Sequence, residues 1–167
     1  EVRSVKVAVI GTGTLGPAIA QVFSQCDCID EVFLCKGRKG SRDGKPIITK
    51  AIDKLVVKEK INRDTADKYL AKIKDGDLAD AREADFLVEA VAENLEVKRS
   101  VFKELDLICR QGCIFTTNTS SLPIKDIADG LNRPLVGMHF FNPAPVMKLV
   151  EVITSETTPA EIIEFVM

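Results

Sequence analysis

The chain has little histidine and no cysteine spacing of the kind a zinc site uses. It has one histidine, and none of its five cysteines stands in C-x-x-C spacing. Cys26-Asp27-Cys28 and the Cys109/Cys113 pair do not match the usual zinc spacings, so no metal centre is expected. The cysteines are odd in number, and reduced, mostly buried thiols of a cytoplasmic protein are the expectation. Charge of one sign is also lacking: the net charge is −2 with interspersed signs, which leaves no electrostatic footprint for nucleic acid. No run is long and apolar enough to span a bilayer, so no membrane partner is expected. Glu1 leads directly into the first strand pattern, and no signal peptide is expected. Repeats, linkers and low-complexity tracts are absent. An initiator Met is missing too, and the sequence stops inside the amphipathic pattern Ile162, Ile163, Phe165, Val166. That pattern follows a capping box with proline at N1 (Thr158, Pro159, Glu161), a helix begun and then cut short. The chain reads as a piece of a longer protein.

Among the features present, the most informative is at residues 5–21. A β-branched run, Val5 to Ile10, enters Gly11, Gly13 and Gly16 at G-x-G-x-x-G spacing, with Thr14 and Leu15 between the last two glycines. The apolar helical pattern Ala18, Ile19, Val22, Phe23 follows at once. Glycines alone punctuate turns everywhere; strand, glycines and helix in that order point to a dinucleotide site. Gly11 permits the tight turn, Gly13 lets a diphosphate approach the backbone, and Gly16 lets the helix pack closely on its strand. The first free N–H groups of the helix then face the phosphates. Pro17 fits a first helical turn, where its missing donor costs nothing.

The length suits one α/β domain with a real core. The spacing predicts strand 5–10, helix 15–26, strand 31–35, a Gly-rich basic loop 36–46, and helices near 47–60 and 63–74. A short strand is placed near Gly76 to Ala79. Strand 85–91, helix 94–110, strand 113–117, a helical turn 123–129 and strands 135–141 and 148–154 complete the chain. This alternation implies a Rossmann-like, doubly wound, mostly parallel sheet with helices on both faces. Ligands then sit beyond the carboxyl ends of the strands, at loops 11–16, 36–44, 92–98 and 118–121.

His139 closes the apolar strand Leu-Val-Gly-Met-His, where the sheet meets its crevice. Glu151 lies among Leu149, Val150, Val152 and Ile153, a costly place for an unpartnered carboxylate. The turn chemistry of Asn142-Pro143-Ala144-Pro145 would make the two strands neighbours and bring Glu151 to His139. A carboxylate on one ring nitrogen fixes the tautomer and leaves the other nitrogen as a general base. A purely structural His–Glu pair tying two strands together stays open at this point. Asn118-Thr119-Ser120-Ser121 offers an amide and hydroxyls on the ligand edge, with Ser121 also suited to cap the helix beginning near Pro123. Asn94 reads as an N-cap and Glu96 as a first-turn acid, flanked by Glu93 and Lys98; Lys98 on that edge would meet a ribose or phosphate.

Four segments now resemble a known family: Gly11-Thr-Gly-Thr-Leu-Gly16, Val88-Glu-Ala-Val-Ala-Glu-Asn94, Asn118-Thr-Ser-Ser-Leu122, and Gly137-Met-His-Phe-Phe-Asn-Pro-Ala-Pro-Val-Met-Lys-Leu-Val-Glu-Val152. They resemble the L-3-hydroxyacyl-CoA dehydrogenases, most nearly the bacterial 3-hydroxybutyryl-CoA type. The resemblance covers essentially the whole chain and corresponds to the nucleotide-binding domain. A helical substrate and dimerisation domain is expected after Met167, making the full protein a homodimer. The resemblance implies that His139 takes the 3-hydroxyl proton and that Glu151 orients it. By the same resemblance Ser120 lies near the substrate carbonyl and cofactor, Asn142 beside the nicotinamide, and Glu93 and Lys98 at the cofactor. Lys54, Lys58 and Lys60 sit where relatives contact CoA. Two other readings stay open: a non-catalytic, crystallin-like relative, and a segment of a multifunctional fatty-acid oxidation protein. Intact His139, Glu151 and Ser120 speak against the first.

One departure concerns the cofactor. Where the family places an acid for the ribose hydroxyls, this chain has Lys36, followed by Gly37, Arg38, Lys39, Gly40, Ser41 and Arg42. An acid there repels a 2′-phosphate and basic groups attract one, so NADP(H) becomes an expectation beside NAD(H).

Overall fold

The computed structural model describes residues 5–38, 41–140 and 150–153, the last four by their backbone. β1 (Val5–Ile10) is followed by α1 (Leu15–Ser24), β2 (Ile29–Cys35), α2 (Lys45–Val57), α3 (Arg63–Lys72) and β3 (Ile73–Gly76). A 3-10 helix (Leu78–Glu83) then leads to β4 (Phe86–Glu89), α4 (Leu95–Ile108), β5 (Ile114–Thr117), α5 (Ile124–Ile127), β6 (Leu135–Phe140) and β7 (Val150–Ile153). The strands form one sheet in the order β3-β2-β1-β4-β5-β6-β7. The first six are parallel and β7 runs antiparallel to β6. After β3 the chain returns to the other side of β1, so the order reverses between β1 and β4, and a crevice opens beyond Ile10 and Glu89.

The period of two along β1 sorts its side chains between two cores. Val7 and Val9 pack with Ile19, Val32, Leu34, Ile48, Ile52 and Ala66, beneath α1, α2 and α3. Ala8 and Ile10 pack on the opposite face with Leu87, Phe102, Leu105, Phe115 and Ile127, beneath α4 and α5. Both faces are covered, which is why the strands read as continuous apolar runs.

Several boundaries differ from the sequence expectation, each for a local reason. Ile73 is fully buried and pairs with Val32, so the third strand begins there and ends α3 at Lys72. The stretch expected to hold a strand near Gly76 to Ala79 turns at Asp77 instead, whose N–H donates to Asp80 Oδ2 at 2.8 Å in a capping box. α2 starts at Lys45, because the Gly44 and Lys45 N–H groups donate to Asp75 Oδ1 at 3.1 and 2.9 Å. The Ser121 cap does not form: Pro123 is the N-cap of α5, and the Leu122 N–H donates to Thr119 Oγ1 at 3.1 Å. Asn94 does cap α4, accepting from the Val97 N–H at 3.1 Å, with Glu96 in the first turn.

Candidate functional site

The glycine turn is built as its spacing demands. Gly11 has φ +120°, and a Cβ there would lie 2.5 Å from the Ala90 carbonyl oxygen. A Cβ on Gly16 would lie 1.8 Å from the Gly11 carbonyl oxygen, so α1 packs against its own strand only with glycine at this position. Gly13 is different: a Cβ there would meet no protein atom within 4 Å. Nothing in the fold requires that glycine, and the space it leaves opens into the crevice. Thr14 makes no side-chain cap and the first turn of α1 carries no acid, which favours an anion at those N–H groups. A cavity of about 510 Å³ lies over the turn, lined by Gly11 to Leu15, by Gly37, Arg38, Ser41 and Arg42, and by Ala90, Val91, Ala92 and Val97. Glycine backbone, first-turn N–H groups and absence of acids among these lining residues together fit a dinucleotide diphosphate.

Beside this cavity the sheet edge carries a buried polar cluster. Glu89, fully buried at the end of β4, accepts from Lys98 Nζ at 2.7 Å, Thr117 Oγ1 at 2.5 Å and the Val91 N–H at 2.7 Å. Burial pushes its carboxyl above the ordinary range, against the pull of the Lys98 charge and of these hydrogen bonds. Lys98 is 1% exposed and also donates to the carbonyl oxygens of Val91 (3.4 Å) and Asn118 (3.2 Å). Direct contact of Lys98 with a ribose or phosphate is therefore not what this arrangement offers; its ammonium lies inside, 3.8 Å behind Glu93 Oε1. Glu93 accepts from Thr119 Oγ1 at 2.6 Å and from the Ser120 N–H and Oγ at 3.2 and 3.4 Å. Partial burial raises its carboxyl, but these hydrogen bonds and the Lys98 charge outweigh that, and its pKa lies below the usual value. Asn118 Oδ1 accepts from the Phe140 N–H at 3.0 Å, joining this cluster to the end of β6.

His139 is half-buried one residue before that point and stands directly opposite Glu151 in the antiparallel register of β6 and β7. The structure thus makes the two strands neighbours. Asn142, the 142–145 turn, the side chain of Glu151 and the capping box at 158–161 lie outside the described residues. Lys36 is turned away from the expected position: its Nζ lies 2.9 Å from Asp43 Oδ1, and it is not among the residues lining the glycine cavity. A second cavity, about 750 Å³, runs along α2 past Lys45, Lys50, Lys54 and Lys58; Lys60 is not among its lining residues.

Sequence reasoning gave Glu89 no role. Two signals pointed to it: a carboxylate inside an apolar strand, and Lys98 at the start of the stripe Lys98, Val101, Phe102, Leu105 that α4 buries. A lysine at i of an i, i+3, i+4, i+7 stripe needs a buried partner.

Residues 6–167 match the family described as 3-hydroxyacyl-CoA dehydrogenase, NAD binding domain. The chain is 41% identical over 157 residues to a 3-hydroxybutyryl-CoA dehydrogenase of Clostridioides difficile, covering 92% of this chain and 55% of that protein. It is 34% identical to a peroxisomal fatty acid beta-oxidation multifunctional protein of Arabidopsis thaliana, covering 95% of this chain and 22% of that one. The crystal structure of a 3-hydroxybutyryl-CoA dehydrogenase from Escherichia coli superposes with a TM-score of 0.85 at 36% identity, covering 98% of this chain and 35% of that one. This chain spans about half, or less, of the length of these relatives. With the glycine turn, the strand order and the match over nearly its whole length, the chain belongs to the 3-hydroxyacyl-CoA dehydrogenase family, whose NAD binding domain it carries.

Proposed function

We propose that this chain supplies the cofactor-binding and proton-handling part of an enzyme that interconverts a 3-hydroxyacyl-CoA, 3-hydroxybutyryl-CoA foremost, and the 3-oxoacyl-CoA. The observation that carries this reading is the place of His139. It is at the carboxyl end of β6, on the same sheet edge as the glycine crevice, with Glu151 opposite it in register. A nicotinamide dinucleotide, when bound, supplies the acceptor for the hydride leaving C3 of the hydroxyacyl group. In this reading His139 removes the hydroxyl proton as that hydride departs and returns it in the reverse direction, with Glu151 favouring the imidazolium. Ser120, exposed beside Glu93, is the hydroxyl offered to the substrate carbonyl, and Asn142 accompanies the nicotinamide. The lysines along α2 suit the phosphates of CoA by charge. The basic stretch after β2 favours the 2′-phosphorylated cofactor.

His139→Ala in the natural-length protein is expected to lower kcat by roughly 10² to 10⁴, the usual share of a general base, with dinucleotide affinity retained. Steady-state kinetics with acetoacetyl-CoA, paired with cofactor titration, checks it. A fall of less than about threefold would place the base elsewhere.

A further inference from the structure

The basic residues after β2 do not share one task. The Lys36 backbone N–H donates to the Gly76 carbonyl at 2.9 Å, and its ammonium is bonded to Asp43, whose carboxylate holds it charged. Arg38, Ser41 and Arg42 instead line the glycine cavity. The Ser41 N–H donates to the Arg38 carbonyl at 3.3 Å, which ties two of these lining residues together. Gly37, just before them, sits so close to Val91 that a Cβ would come within 2.8 Å of its Cγ1, which seats the loop against the crevice. No acidic residue is among those lining this cavity, while Arg38, Arg42, Thr12, Thr14 and Ser41 are.

We propose that Arg38, Ser41 and Arg42 form a subsite for a dianionic phosphate monoester on the adenosine ribose of the cofactor, and that Lys36 acts through Asp43. The inference rests on the reading of the crevice as a dinucleotide site. Two guanidiniums and a hydroxyl present several donors to a phosphate in fixed planar geometry, which a single ammonium does not. Asp43 adjoins Arg42 in sequence, and a bare carboxylate there would repel the phosphate and accept ribose hydroxyls instead. Paired with Lys36 it does neither, so Lys36 is a positioning residue for charge and not a phosphate ligand.

The test is equilibrium titration of NADPH, NADH and CoA against the natural-length protein and its variants, at low and moderate salt. NADPH is expected to bind at least about tenfold tighter than NADH at low salt, a margin that narrows as salt rises. Arg38→Ala and Arg42→Ala should each weaken NADPH roughly tenfold and leave NADH within about twofold, since only the phosphate contact is lost. Lys36→Met should weaken NADPH, and Lys36→Met with Asp43→Asn should restore it. Lys36→Asp, which adds an acceptor and unpairs Asp43, should reverse the order of the two cofactors. NADH binding as tightly as NADPH at low salt overturns the subsite while leaving the dinucleotide site intact. Arginine variants that lose CoA in place of NADPH assign the subsite to the CoA phosphate and overturn it as well. A double variant as weak as Lys36→Met makes Lys36 a direct ligand. Binding of neither dinucleotide removes the crevice reading itself.

Discussion

Glu93 shows how single side chains prepare this edge. Its carboxylate is held by two hydroxyls and a backbone N–H, with the Lys98 ammonium behind it, and its pKa is lowered from the ordinary 4.5. A carboxyl group with a depressed folded pKa contributes stability that is full above the unfolded value and is lost as pH falls through the folded one. Order in the 118–121 loop should therefore persist at pH 5 and loosen only below about pH 4.5. Thr119→Val removes the 2.6 Å hydroxyl bond and should move the Glu93 midpoint upward. Carboxyl-carbon NMR titration of both proteins reads this directly, and an unchanged midpoint would show that the hydroxyl does not hold the carboxylate. The neighbouring Glu89–Lys98 pair is of another kind: with both side chains buried, each exists inside only because the other does.

The strand–turn–helix unit separates what glycine does for the fold from what it does for a ligand. At Gly16 a methyl group would collide with backbone at 1.8 Å, so neither α1 nor β1 can yield cheaply. Gly16→Ala should destabilise the protein by about 1–3 kcal/mol or more, as overpacking does. Gly13→Ala meets no protein atom within 4 Å and should change stability by no more than roughly 0.5 kcal/mol, yet weaken dinucleotide binding by filling the cradle. Chemical denaturation alongside cofactor titration distinguishes them. Equal losses of stability in the two variants would mean that Gly13 also serves packing.

For the whole molecule, the sheet order brings residues from four separate loops to one edge, but the chain covers 55% of the C. difficile relative it resembles. Among the described residues, Val57 on α2 and Leu107 on α4 are large exposed apolar side chains, as is Val97 beside the glycine cavity. The 167 residues alone are expected to bind dinucleotide yet to reduce acetoacetyl-CoA far more slowly than the natural-length protein, because part of the substrate site is expected outside this chain. Comparing kcat/KM of the two checks this, and equal values would place the entire site within these residues.

The G-x-G-x-x-G turn, the alternation of strands and helices and the Asn94 cap were legible in the sequence because each depends on neighbours within a few residues. Steric demand at a turn, the periods of two and 3.6, and a cap bond to the third N–H are local physics. The apolar strand that holds His139 and the carboxylate twelve residues on were legible for the same reason, and so was the pairing of their two strands across a short connection. What the fold alone decided involves partners distant in the chain. Lys98 reads as a contact for a ribose or phosphate until β4 brings Glu89 to it, and Asn118 reads as an amide on the ligand edge until β6 presents the Phe140 N–H. Lys36 reads as an unpaired basic group until the fold sets Asp43 beside it, while Arg38, Ser41 and Arg42 line the cavity. In each case the charge was visible in the sequence. Which opposite charge or hydrogen-bond partner meets it is set by strand order and loop closure, which bring together groups that sequence distance keeps apart.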